Sequence, residues 1–280
     1  MSTSPVREGT LPVPGATLRY EIRGNGPLLL LIPGGAGGSA AFEGVAAALA
    51  DRFTVASYDP RGIGASPLDV PGAEQQVAVH AADAHCLLEL LSPAQPGFVC
   101  GTSSGGIVAA ELLARHPERV RLVVAHEPPL GRLAADPETV LAGFAEVGDI
   151  AVREGVGPGY ARLGAVVGEA EPLEGDEGDE GEPEAMSARL RAVAEASSAQ
   201  FLQHVLKPFT HHAPDLALLK AAADRLVVGV GRSSRGQLPH TLGAALAESV
   251  GAECRIFPGG HVGCVEYPGA FARELAATLR

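Results

Sequence analysis

The chain has 280 residues, 46% hydrophobic and 19% charged, a globular composition that excludes an intrinsically disordered chain or a collagen-like repeat. Its net charge is −12, and nine carboxylates with no Lys or Arg fall within residues 169–184; the remainder is close to neutral and offers no basic surface to nucleic acid or an anionic membrane. Cys86, Cys100, Cys254 and Cys264 are scattered without a CxxC pair, so neither a zinc site nor a disulfide framework is expected.

The opening MSTSPVREGT has no apolar signal region and no run reaches 18 apolar residues, so a cytoplasmic location is expected. Residues 16–23 alternate weakly and read as a strand, closed by a turn at 24–27. The apolar run 28–32 suits a strand buried on both faces of a parallel sheet. A glycine loop follows at 33–38, and Ser39 is placed to cap a helix running to about residue 50. The next strand is 53–58. A helix over 73–91 then carries Val77, Ala81, Ala84, Leu88 and Leu91 on one stripe. Strand 97–101, helix 104–115 and strand 121–125 continue the alternation. Between about 128 and 214 the pattern is helical and is interrupted by the acidic ribbon. Strand 225–231, helix 237–250, strand 253–257 and helix 267–279 complete the chain.

This rhythm predicts an α/β fold with a doubly wound, mostly parallel sheet. Residues 1–130 and 214–280 make its core, and 131–213 form a helical lid inserted beyond a strand end, where such sheets bind ligands. The acidic segment at about 169–185 is expected to be solvated and disordered, since its like charges repel and it has little to bury.

Gly101-Thr102-Ser103-Ser104-Gly105 lies between a predicted strand and helix and fits G-x-S-x-G. A nucleophilic hydroxyl on such a turn needs small neighbours, because the backbone is sharply bent. Ser103 is therefore the candidate nucleophile. Ser104 is the rival, though its preceding small position is Thr102. His261, among glycines in the loop after the last strand, is the candidate base. A surface or capping role is the simpler reading of His80, His116, His211, His212 and His240. The third partner is a carboxylate that orients the imidazole. The loop 232–236 (RSSRG) contains none, whereas Glu127 follows strand 121–125 at the sheet edge that bears Ser103. Backbone N–H groups of Gly35 and Ser104 are the candidate oxyanion donors. A phosphate cradle at 33–38 is disfavoured, since no G-K-[ST] follows.

Together, the glycine loop 33–38, the segment Asp59-Pro60-Arg61-Gly62-Ile63-Gly64-Ala65-Ser66, the elbow 101–105 and the terminal Gly260-His261 resemble the α/β-hydrolase superfamily. The resemblance spans about 10–130 and 214–280. It implies a Ser-His-acid hydrolase with no cofactor and no metal. Two positions depart from the usual pattern. Pro33-Gly34 stands where many relatives have His-Gly, and the acid is absent from the loop after strand 225–231. Certain haloalkane dehalogenases of this superfamily carry a glutamate after the strand matching 121–125, as Glu127 does. Their activity does not transfer, because they use an aspartate nucleophile and a tryptophan halide site. This chain has Ser103 and no Trp. The aspartate argument excludes an epoxide hydrolase as well.

The expected activity is hydrolysis of a carboxylic ester or lactone through an acyl-enzyme on Ser103. Rival readings are a thioesterase, a C–C or amide hydrolase, a cofactor-free lyase or cyclase, and a non-catalytic binding protein. The expected partner is a small ester-like molecule, with homo-oligomerisation left open. Phe201, His204 and Phe209 are candidate substrate contacts from the lid.

Overall fold

A computed structural model describes residues 5–171 and 181–280. Its centre is an eight-stranded sheet: β1 (Arg7–Val13), β2 (Ala16–Arg23), β3 (Leu28–Ile32), β4 (Thr54–Tyr58), β5 (Gly97–Thr102), β6 (Val120–His126), β7 (Leu226–Gly231) and β8 (Glu253–Phe257). The spatial order is β1-β2-β4-β3-β5-β6-β7-β8. β1 and β2 run antiparallel to their neighbours, and every pairing from β4 to β8 is parallel. β3 and β5 are buried at every residue, as expected of strands covered by helices on both faces. One apolar layer joins the helices Val77–Leu91 and Ser104–Arg115 to the sheet, and a second packs the helices Glu43–Leu49 and Pro268–Thr278 on the other face. Among the described residues, no helix is long and apolar enough to cross a membrane.

Two local features differ from the sequence reading. β1 is an additional strand, hairpinned to β2 through Gly15 at φ 83°. Its residues alternate between exposed and half-buried, and only Leu11 and Val13, separated by Pro12, pack against the core, a weak apolar signal for a strand. Ser39 does not cap a helix. It lies buried inside the 3-10 turn Gly38–Phe42, where its hydroxyl accepts from Arg19 and Arg189.

The helical insertion leaves the sheet after β6 and returns at β7. Its helices are Pro137–Arg153, Val156–Val167, Ala188–Gln200, Leu206–Thr210 and Leu216–Ala221, with a π-turn at Phe201–Val205. Pro208 explains that turn: it has no N–H for the His204 carbonyl, which instead accepts from the Gln75 N–H of the core at 3.1 Å. Arg189 adds a second tie, donating to the buried carboxylate of Glu21 at 3.0 Å. Much of the acidic segment expected to be disordered, residues 172–180, lies outside the described residues. Its flanks are exposed, yet each is tied by one backbone bond. Glu171 N–H donates to Arg235 O and Glu184 N–H to Glu266 O, both at 2.7 Å.

Candidate active site

Ser103 sits between β5 and the helix Ser104–Arg115 with φ 53° and ψ −124°. Only Ser103 and Glu127 have positive φ among the described non-glycine residues, a conformation that persists when surrounding bonds over-determine it. Here the Ser103 N–H donates to His126 O at 2.8 Å, and the N–H groups of Gly106 and Ile107 close on Ser103 O. The glycines of the elbow are required by close approach. A Cβ on Gly101 would lie 2.1 Å from Gly105 O, and one on Gly105 would lie 2.1 Å from Ile32 O.

His261, in the loop after β8, reaches Ser103 Oγ with Nε2 at 3.1 Å and Glu127 Oε2 with Nδ1 at 2.7 Å. Glu127 is fully buried and follows β6 directly, with its N–H held by Gly229 O at 2.9 Å. Its other oxygen, Oε1, accepts the Gly231 N–H at 2.8 Å and the Ser234 hydroxyl. Ser234 lies in the acid-free loop after β7, so a hydroxyl there braces an acid supplied by the neighbouring strand. Burial pushes the Glu127 carboxyl upward, but the bonds from His261 and Ser234 and the nearby imidazoles pull it down to about 2. An ionised carboxylate on Nδ1 leaves the Nε2 lone pair free to take the Ser103 proton.

Two further histidines lie close by. His240, read as a surface residue, places Nδ1 3.1 Å from Gly231 O and 3.7 Å from Glu127 Oε1. His126 is fully buried edge-on to Phe257 and Phe271, and neither ring nitrogen has a partner among the described residues. Burial lowers its pKa to about 4 and keeps it neutral near pH 7.

Above Ser103 opens a cavity of about 300 Å³. Its walls are mainly apolar; Phe144, Tyr160, Leu163 and Val167 come from the insertion, and no Asp, Glu, Lys or Arg among the described residues borders it. The sequence reading missed these four. Three of them, Tyr160, Leu163 and Val167, share one stripe of the helix Val156–Val167, a signal that was there to find. Of the residues it did name, Phe201 borders the cavity, but His204 and Phe209 do not. The ring of His204 faces Gly72, and Phe209 packs edge-on against His80. Gly35 borders the cavity with φ 61°, and its N–H donates to Ser104 Oγ at 3.1 Å. Pro128 and Pro129 follow Glu127. Leu130 N–H bonds back to Pro128 O at 2.8 Å, and Pro129 reaches the cavity wall.

A family model described as the alpha/beta hydrolase fold matches residues 27–167. A curated relative, the uncharacterized hydrolase YraK of Bacillus subtilis (strain 168), is 32% identical over 275 residues, covering 96% of this chain and 95% of its own. The chain belongs to the α/β-hydrolase family. Two solved structures share the α/β-hydrolase fold with it at lower identity. A thermophilic esterase from Thermogutta terrifontis (malate bound) superposes with a TM-score of 0.74 at 20% identity, over 98% of both chains. The enol-lactonase from Burkholderia xenovorans LB400 gives 0.69 at 20% identity, over 97% of this chain and 99% of its own. Within this α/β-hydrolase, the feature that departs from the pattern described above is the carboxylate at the end of β6, braced by the loop after β7.

Proposed function

We propose that this chain is a serine hydrolase that cleaves a carboxylic ester or lactone through an acyl-enzyme. The observation that carries the reading is the continuous chain Ser103 Oγ–His261 Nε2, His261 Nδ1–Glu127 Oε2, at the floor of an apolar cavity. In the proposed reaction His261 Nε2 takes the Ser103 proton as Oγ bonds to the carbonyl carbon. The proton then passes to the leaving alcohol as the C–O bond breaks. Water, deprotonated by the same nitrogen, attacks the acyl-enzyme and releases the acid. Glu127 orients the imidazole and stabilises its charged form.

The oxyanion would be met by the Ser104 N–H, at the first turn of its helix, and by the Gly35 N–H. Because Gly35 N–H is bonded to Ser104 Oγ, it would share that bond or exchange it for the substrate oxygen. The insertion acts as a lid whose apolar wall selects an uncharged acyl group. At about 300 Å³ the cavity lies at the small end of ligand pockets, which favours short acyl chains. A structural neighbour is described as a putative epoxide hydrolase from Pseudomonas aeruginosa. A serine at position 103, in place of the aspartate that such chemistry uses, favours the ester reading.

A fluorophosphonate probe tests the nucleophile, and p-nitrophenyl esters of increasing acyl length test the bond. Labelling of Ser103 with turnover of the short esters is expected. No labelling of wild-type protein would remove the serine mechanism. Labelling without ester turnover would move the activity to another acyl bond.

A further inference from the structure

The far end of the elbow helix carries a second group of potential ligands. The helix Ser104–Arg115 has 12 residues, so its end lies roughly 18 Å from Ser103 at 1.5 Å rise per residue. There His116 stacks on His85 of the helix Val77–Leu91, with ring centroids 3.9 Å apart and planes inclined by 20°. Glu118 follows in the turn Pro117–Arg119, its Oε1 3.8 Å from His116 Nδ1. One ligand atom from each of His85, His116 and Glu118 lies within 4.8 Å of the others. We propose that His85, His116 and Glu118 form a surface site for a borderline divalent cation of the zinc, nickel or copper type.

Two lines of reasoning support it. The donor set is two imidazoles and one carboxylate, which suits these metals and not calcium or magnesium, whose sites are built from oxygen. Zinc–nitrogen bonds of about 2.0–2.1 Å in a tetrahedron separate ligand atoms by roughly 3.4 Å. From a spacing of at most 4.8 Å, this needs a contraction of up to about 1.4 Å, within reach of the exposed Glu118 side chain and two half-buried rings. The stacked rings would splay on binding, so that their in-plane nitrogen lone pairs converge on one ion. Glu89 lies 3.7 Å from His85 Nε2 but is engaged by Arg119 at 2.5 Å, which leaves the fourth position to water. A metal there would tie the helix Val77–Leu91 to the end of the elbow helix. Its effect falls on stability, since the ligands are remote from Ser103.

Tag-free, chelator-treated full-length protein is titrated with zinc chloride by calorimetry and melted with and without the metal. One zinc per chain is expected, with a dissociation constant on the order of 10 μM, together with a raised Tm. His85→Ala and His116→Ala should each weaken binding by about tenfold or more. Glu118→Gln, at an exposed position that folding does not depend on, should weaken it several-fold. His261→Ala should bind zinc as wild type does. The proposal is overturned by absence of binding up to about 1 mM zinc, by binding that survives the His85→Ala/His116→Ala double variant, or by binding lost in His261→Ala.

Discussion

Glu127→Gln is the substitution that most directly probes the proposed relay. The two side chains have the same shape, so the question is how the amide orients. Oε1 of Glu127 accepts from the Gly231 N–H and the Ser234 hydroxyl. The Gly231 N–H can only donate, so it selects the amide oxygen for that position. The amide NH2 is then turned toward His261 Nδ1, now 2.7 Å from Oε2. Nδ1 must accept, which puts the imidazole proton on Nε2, facing Ser103. In that tautomer Nε2 has no lone pair for the serine proton, and the charge that stabilised the imidazolium is gone. We expect kcat on a short p-nitrophenyl ester to fall by roughly 10²–10⁴-fold, with KM changed by less than about threefold. Glu127→Ala would add a cavity and two unsatisfied donors, and is the less informative change. The assay is steady-state hydrolysis beside a thermal melt that verifies folding. Retention of more than about a third of wild-type kcat by folded Glu127→Gln would refute the assignment of Glu127 to the relay.

Ser103→Ala should lower kcat by on the order of 10³-fold or more and abolish fluorophosphonate labelling; near wild-type activity with an inactive Ser104→Ala would shift the nucleophile by one residue. Leu163→Trp should fill part of the cavity, and kcat/KM measured across an acyl-length series should fall more for long chains than for acetyl. Acid should destabilise the protein before the buried carboxylate titrates. His126 and His80 are neutral in the fold, with pKa values lowered by burial from 6.5 to about 4 and about 3. Their unfolded forms bind protons first, so stability declines as pH falls from 6.5 toward 4, by several kcal/mol in order of magnitude. Glu127 adds its loss only as pH falls from 4.5 through about 2. Urea unfolding midpoints between pH 7 and 4.5 measure the slope, and His126→Leu should flatten it. An unchanged slope in that variant would assign acid sensitivity to other groups.

The turn at Ser103 was legible because its geometry demands unusual local sequence: glycines where a Cβ has no room, and a serine at positive φ. Glu127 was legible by topology, since a residue just past β6 emerges beside the end of β5. Its brace was not. Ser234 bonds across to a neighbouring strand, a contact of 107 residues' separation that no spacing rule encodes. β1 escaped notice because an edge strand half-buried on one face needs few apolar residues, here Leu11 and Val13 around Pro12. Phe209 was misplaced because the π-turn before Pro208 changes the rotation of the chain, turning that ring toward His80 and not toward the cavity. Pairs such as His85 and His116 depend on helix packing and leave no linear motif.

The two prolines after Glu127 have a mechanical consequence. Carrying the acid on β6 places it at the root of the insertion, so any displacement of those helices would pull on the carboxylate. Pro128 and Pro129 fix two successive φ angles there, and the tight turn from Leu130 N–H to Pro128 O absorbs the change of direction. They make a stiff strut between the end of β6 and the helices of the insertion. On the proposed function, changes to the insertion from Leu130 onward would therefore alter the cavity wall while leaving the position of Glu127 unchanged.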